Sequence, residues 1–344
     1  MPDSAVRPAG RRAWVVVVVC LLSALYLWLA LRSADLVALR RAIAQLSVPL
    51  IPVLLAAALA TLWMRARRIA LSLVRKPPVS TAQAARSMMA GYVTSLLLPQ
   101  PAGELARLTV ATRDLGVSPA AATASIAIER VLDLLLALLL VAAVTPFAPH
   151  TDPRLLGATR VLSALAALGC VALALAMGAP AACRALFEPI FALLPQHAAA
   201  WCRHHFDDLL RSLGQLSSAH RMLRYCLLSL AQTALWGCCI GVSLYAAGIA
   251  PGAVAVILTT ALFTLALLLP SAPGYIGSLQ LAYVAALVPL GVATPLAIAA
   301  SLYLHVLFNA LLIALGLAVF GRHWLSRRLD DGQQQGSGQE QHDQ

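Results

Sequence analysis

The sequence predicts an all-α polytopic membrane protein, and three observations carry that reading. Apolar residues make up 60% of the 344 residues and only 11% are charged, against soluble averages of ~45–50% and ~25%. Apolar runs of about 20 residues, enough to cross a ~30 Å hydrocarbon core, recur along the chain. The third observation is a pair of matching interruptions. Leu96-Leu97-Leu98-Pro99-Gln100-Pro101-Ala102-Gly103 is followed by Leu115-Gly116-Val117-Ser118-Pro119. Leu267-Leu268-Leu269-Pro270-Ser271-Ala272-Pro273-Gly274 is followed by Leu290-Gly291-Val292-Ala293-Thr294-Pro295. Each reads as an apolar helix broken by a Pro/Gly turn, a short return, and a new Ala-rich helix. About six full spans plus two re-entrant broken-helix segments, related as an inverted repeat, are expected.

The first run, Trp14 to Leu31, follows Arg7, Arg11 and Arg12. Its apolar core exceeds the 7–15 residues of a signal peptide and no clear small-residue cleavage site follows, so an uncleaved span is expected. Further full spans are expected near 48–64, 118–147, 157–178, 222–247 and 293–320, with the broken segments at 82–114 and 253–290. The stretch around 181–220 is the longest polar one and reads as a loop. Residues 1–322 then form one transmembrane domain, its first half at about 48–147 and its second at about 222–320. The Gln-rich segment 323–344 is too polar to bury a core and is expected as a disordered cytoplasmic tail. A separate soluble catalytic domain is excluded, so no enzyme of that kind is expected.

The net charge of +11 is placed at the ends of spans. Arg65, Arg67, Arg68, Arg75 and Lys76 follow the second span, and Arg322, Arg327 and Arg328 follow the last. Basic residues flanking spans mark the cytoplasmic side, and this placement argues against nucleic acid as a partner. Tracing in and out from a cytoplasmic N-terminus puts both termini inside. Three full spans separate the broken segments, which therefore enter from opposite faces as an inverted pair, the arrangement of transport sites. Such backbone is tolerated in a membrane where protein buries it or where it lines a wet cavity. The turns rest on Pro99, Gly103, Pro270, Pro273, Gly274 and Gly277. The seven cysteines show no paired framework, and Cys202, His204 and His205 match no common metal spacing. No metal or cofactor is expected.

Charges within spans usually mark pathways or buried pairs. Glu129 lies eleven residues past Ser118, ~16 Å along a helix and close to the midplane. Ser125, Glu129 and Asp133 share one helix face, and Arg130 is spaced to pair with Asp133. These charges read equally as a structural knot or as an internal site facing the broken helices. Glu104 and Arg107 are spaced as a local pair, while Arg107 or Arg113 is suited to hold a phosphate bidentately. The second turn carries no charge, and Gln280 supplies both donors and acceptors there. Aligning the two halves sets Ser301 near Ser125 and His305 near Glu129, with Asn309 one turn further on. His305 reads as a packing residue or as a group titrating near neutral pH.

These residues, Leu98-Pro99-x-x-Ala102-Gly103-Glu104-x-x-Arg107, Gly116-Val117-Ser118 and Glu129-Arg130-x-x-Asp133, resemble the flippase-like transmembrane family. Its best-known member is the membrane region of lysylphosphatidylglycerol synthase, the multiple peptide resistance factor. Pro270-Ser271-x-Pro273-Gly274-Tyr275-x-Gly277 is similar to that family's second signature, and the resemblance spans about residues 10–322. It implies a protein of the bacterial inner membrane that moves a lipid between leaflets. The family often carries Glu where Gln280 stands and a basic residue near His305. The chain is expected to be a stand-alone form without the soluble aminoacyl-transferase domain.

The expected substrate is an anionic phospholipid or an isoprenoid-linked lipid, engaged by Arg107, Arg113 and Arg130. An intramembrane transferase, with Asp207-Asp208 or Glu129 and Asp133 as its carboxylates, is an alternative. So are an ion-coupled small-solute carrier and an accessory subunit of an envelope-lipid biosynthetic enzyme.

Overall fold

Proline, glycine and capping residues divide the chain into helices close to where the sequence breaks. The computed structural model describes residues 10–73, 75–147, 178–215 and 219–340, together with 161, 164–165, 167–169, 171–172 and 175–176. The span expected at 157–178 and the loop near His150 thus fall largely outside the described residues. Among the described residues there is no strand, and the protein is an all-α polytopic membrane protein.

Helix α1 (Gly10–Leu31) is followed by a short amphipathic α2 (Leu36–Ala44) capped by Asp35, whose carboxylate accepts from Val37 N–H. The two are bent by 88°, and α2 was not expected from the sequence. Helix α3 (Ile51–Ser72) runs a full two turns beyond the span expected at 48–64. The Lys76-Pro77-Pro78 break then leads to α4 (Thr81–Leu97). Its start is a capping box: Ser80 Oγ accepts from Gln83 N–H at 3.2 Å, and Ser80 N–H donates to Gln83 Oε1 at 2.9 Å.

Pro99 ends α4, and Pro101 fits the first turn of α5 (Gln100–Arg113), where its missing N–H costs nothing. The pair forms a tight antiparallel hairpin. Ser87 Oγ donates to the Arg107 carbonyl at 2.9 Å, and Gly91 lies against Gly103 nearer the tip. A Cβ on Gly103 would stand 1.9 Å from Ser95 Oγ and 2.7 Å from the Gly91 carbonyl oxygen, so only glycine lets the arms close. Ser118 caps α6 (Pro119–Val144) by accepting from Ala121 N–H.

The stretch expected as a loop around 181–220 is instead helical: α7 (Pro180–Ala192) and α8 (Gln196–Gln215). Ala199, Phe206, Leu210 and Leu213 form an apolar stripe on α8 that packs on α6 and α7. That stripe, spaced by three and four, is what keeps so polar a segment folded.

Helix α9 (Ala219–Ala246) precedes the second interrupted segment. That segment is α10 (Ala253–Ala266), a 3-10 turn at Pro273–Tyr275, and α11 (Ser278–Leu287) packed back against α10. The turn is held by α1, whose Ser23 hydroxyl accepts from Ala272 N–H at 2.5 Å. Gly277 adopts φ +92°, and a Cβ there would fall 2.4 Å from the Ser23 carbonyl oxygen. The last helix, α12 (Thr294–Glu340), continues through most of the segment expected as a disordered tail.

Among the described residues, four helical stretches are long and apolar enough to cross a membrane: Val48–Ser72, His220–Ala246, Pro273–Leu290 and Thr294–Phe320; the bent α1–α2 pair makes a fifth. Helix α6 has the length, but Glu129, Arg130 and Asp133 interrupt its apolar character. Leu54, Ile240, Leu244, Phe263, Leu287 and Leu304 build one core where α3, α9, α10, α11 and α12 meet. A second core, with Leu62, Ile69, Met88, Ala111 and Leu312, joins α3 to the first hairpin and α12.

Candidate functional site

The charged residues of α6 face α3 and the first hairpin. Ser125 Oγ shares a hydrogen bond with Ser72 Oγ at 2.5 Å, Glu129 meets Arg65 and Arg68, and Asp133 meets Arg68. The shared face of Ser125, Glu129 and Asp133 thus lies along α3. Glu129 is 1% exposed and gathers three guanidiniums: Arg65 in close contact, Arg68 Nη2 at 3.3 Å and Arg107 Nη2 at 2.7 Å. Arg68, equally buried, holds Asp133 bidentately at 2.6 and 3.1 Å and reaches Ser229 Oγ at 3.3 Å. Arg65 also donates to Tyr92 Oη at 2.7 Å.

Two local pairings expected from spacing are exchanged for contacts between helices. Arg130 pairs with Glu104 on α5, not with Asp133, and Arg107 pairs with Glu129 on α6, not with Glu104. Crossing instead to the neighbouring helix satisfies buried charges that would otherwise cost several kcal/mol each, on the order of the penalty for an unpaired buried ion.

A second correction concerns Arg65 and Arg68, which the sequence places with the basic cluster flanking a span. They are buried in the protein, and of the three arginines on α3 it is Arg67 that turns outward, over the Trp63 ring at 4.9 Å. The buried stripe of α3 runs Leu54, Ala58, Thr61, Leu62, Arg65, Arg68, Ile69, Ser72. Both arginines keep its phase and Arg67 does not, a signal present in the sequence. Arg113 is exposed in the last turn of α5 and does not join the cluster.

Counting the cluster gives four guanidiniums (Arg65, Arg68, Arg107, Arg130) against three carboxylates (Glu104, Glu129, Asp133), a net charge of +1. Glu104 and Arg130 are its wettest members, with side chains 29% and 25% exposed. They border a cavity of about 40 Å³ together with Arg65, Arg107, Gly103 and Tyr275. A second cavity of about 40 Å³ adjoins it, sharing Tyr92, Ser95, Leu267 and Tyr275, and ends at His305 and Asn309. Each has room for a few waters.

The uncharged turn has its own network. Gln280 and His305, both buried, meet at 3.0 Å, and His305 Nε2 reaches the Gly274 carbonyl at 2.6 Å. Glu129 and His305 each contact the hairpin beside them, Glu129 through Arg107 and His305 through the Gly274 carbonyl and Gln280. Asp207 and Asp208 lie on α8, paired with Arg184 and Arg211. Two wider clefts, about 700 Å³ beside Trp201 and about 500 Å³ beside Trp63, touch none of the clustered charges.

Comparison with known proteins agrees with this architecture. The family model for the lysylphosphatidylglycerol synthase TM region matches residues 16–316, which includes both hairpins, the charged cluster and His305. Neither the curated proteins nor the solved structures compared with it give a match. The chain belongs to the family of lysylphosphatidylglycerol synthase transmembrane regions, membrane proteins linked to lipid synthesis or transport.

Proposed function

We propose that the protein translocates a lipid with an anionic headgroup, a phospholipid or an isoprenoid-linked phosphate, between the leaflets of a bacterial inner membrane. The observation that carries this reading is the buried cluster with a net charge of +1, opening through Glu104 and Arg130 into a cavity between two broken-helix hairpins. One surplus guanidinium favours an anion, and arginine is suited to phosphate by its bidentate fork.

In this conformation the cavities are too small for a headgroup. Passage therefore requires the hairpins to part, first toward one leaflet and then toward the other, while the acyl chains stay in lipid. The hairpins suit that role: Pro/Gly-containing links join each to its neighbouring helices. They would form an inverted pair in the membrane, with both termini cytoplasmic. The cluster moves headgroups rather than transforming them, so the protein is not an enzyme in this account, and a lipid biosynthetic enzyme of the envelope is its natural supplier or partner. Asp207 and Asp208 are engaged in ion pairs on α8, which leaves a transferase reading without free carboxylates there.

The test is purified protein in liposomes with fluorescent phosphatidylglycerol, isoprenoid phosphate and phosphatidylcholine analogues. Inner-leaflet probe becoming reducible by an external quencher, faster for an anionic lipid than for phosphatidylcholine, is the expected result. No movement of any of the three by folded protein would overturn the proposal.

A further inference from the structure

The hydrogen bonds around His305 determine its protonation state. Gly277 N–H donates to Gln280 Oε1 at 2.8 Å, which fixes the orientation of the side-chain amide. Gln280 Nε2, a donor only, therefore faces His305 Nδ1 at 3.0 Å, and Nδ1 accepts through its lone pair. On the other side of the ring, His305 Nε2 lies 2.6 Å from the Gly274 carbonyl oxygen, an acceptor only, so Nε2 carries the hydrogen. The ring is neutral, with one proton, and both of its nitrogens are used to hold the second turn.

We infer that His305 is a proton-binding site, and that a proton arriving at Nδ1 unlocks the turn between α10 and α11. Protonation sets an N–H against the NH₂ of Gln280. Gln280 cannot present its oxygen to the ring without abandoning Gly277 N–H, and both residues are buried among apolar side chains. One of the two bonds must break. Gly274 and Gly277 both belong to the turn, and Gly274 and Tyr275 border the cavity opposite Ser95 and Leu96 of the first hairpin. The Nε2–H bond to the Gly274 carbonyl survives protonation, so the loss falls on Gln280 and on the Gly277 end of the turn, next to the cavity wall.

The cavity wall beside His305 carries no carboxylate to take the proton instead; its other polar side chains that can accept are the hydroxyls of Tyr92, Ser95 and Tyr275 and the Asn309 amide. The cavity at His305 is lined from α4 by Tyr92, Ser95 and Leu96, from α9 by Trp236, and from the turn by Gly274 and Tyr275, with no Asp or Glu anywhere in its wall. Helices α1, α2 and α3 contribute nothing to that wall. On α11, Tyr283 is occupied with Ser243 at 2.9 Å. The facing charges are Arg65 and Arg130, with Glu104 beside Arg130, in the adjoining cavity beyond Tyr92 and Tyr275. Guanidiniums there oppose a charged ring, and an anion bound between them would relieve that opposition. Proton and anion would then favour each other's binding; this coupling, unlike the proton site itself, rests on the function proposed above.

Hydrogen exchange of the full chain in detergent micelles tests the proton site without any added lipid. Amide protection over residues 274–280 is compared at pH 8 and pH 5, after correction for the pH dependence of intrinsic exchange. The wild type is expected to lose protection about tenfold on acidification, the size associated with losing one buried hydrogen bond. Gln280→Glu is expected to stay protected at pH 5, because a carboxylate accepts from both Gly277 N–H and a protonated Nδ1–H. His305→Gln is expected to show no response to pH. Equal protection of the wild type at both pH values would overturn the proposal, as would the same acid loss in Gln280→Glu. The wild-type comparison decides the matter even where a variant fails to fold. Failure here leaves the lipid-translocation reading standing, and failure of lipid movement leaves this one.

Discussion

Arg107 and Glu129 meet at 2.7 Å, and that contact fastens the first broken hairpin to the charged helix behind it. Arg107 stands on the return arm, four residues beyond the tight Gly103 contact, and Glu129 is the most buried carboxylate of the cluster. The hairpin can part from α6 only if this ion pair separates. An anion that offers Arg107 a replacement partner lowers the cost of doing so. Together with Glu104–Arg130, the Arg107–Glu129 pair ties α5 to α6, and in the proposed function these pairs link substrate chemistry to hairpin motion.

Removing the central carboxylate should be expensive. Glu129→Gln leaves Arg65, Arg68 and Arg107 around a neutral amide, and breaking a buried pair from one side costs about 3–5 kcal/mol. The expected outcome is a large loss of thermal stability in detergent, followed by fluorescence or circular dichroism on the purified variant. A melting curve matching the wild type would show that the three guanidiniums do not depend on Glu129.

Neighbouring arginines on α3 should behave in opposite ways. Arg68→Ala strips Asp133 of its bidentate partner and should destabilise by about 3–5 kcal/mol. Arg67→Ala loses an outward-facing contact with Trp63 and should cost no more than about 0.5–1 kcal/mol. Comparing yields and melting temperatures of the two variants checks this directly. Similar behaviour of both would contradict the placement of Arg68 inside the protein.

Gly103 should tolerate no side chain. Gly103→Ala places a methyl group against Ser95 Oγ and the Gly91 carbonyl, an overpacking cost of about 1–3 kcal/mol. Trimming the partner with Ser95→Gly should restore little, because the backbone oxygen of Gly91 remains 2.7 Å from the added carbon. The double variant's stability against the single's is the measurement.

Much of this site can be read from the chain, and the remainder was hidden for identifiable reasons. Pro99, Gly103, Pro273 and Gly277 announce two interrupted segments because those residue types break helices and allow close approach. Glu129 stands out because a carboxylate in an apolar run demands a partner. The partners differ from what spacing alone suggests: a separation of three points to a pair along one helix, while burial selects the pairs that cross to a neighbour, as Arg130 does with Glu104. Arg65 and Arg68 were read by their charge as flanking residues, although their phase with Leu62, Ile69 and Ser72 puts them on the buried stripe. The α7–α8 region looked like a loop because its polar residues outnumber the single apolar stripe that holds it.

The claim that the surplus positive charge selects the substrate has one most direct test, made on the wettest pair of the cluster, where substitution leaves the buried core intact. In the liposome assay, the ratio of anionic to zwitterionic lipid movement is measured for wild type, Arg130→Gln and the double variant Glu104→Gln/Arg130→Gln. Four guanidiniums against three carboxylates become three against three in the single variant and three against two in the double. The account predicts that the preference for the anionic lipid is lost in Arg130→Gln and returns in the double variant, whose net charge is again +1. A single variant that keeps the wild-type ratio would contradict it.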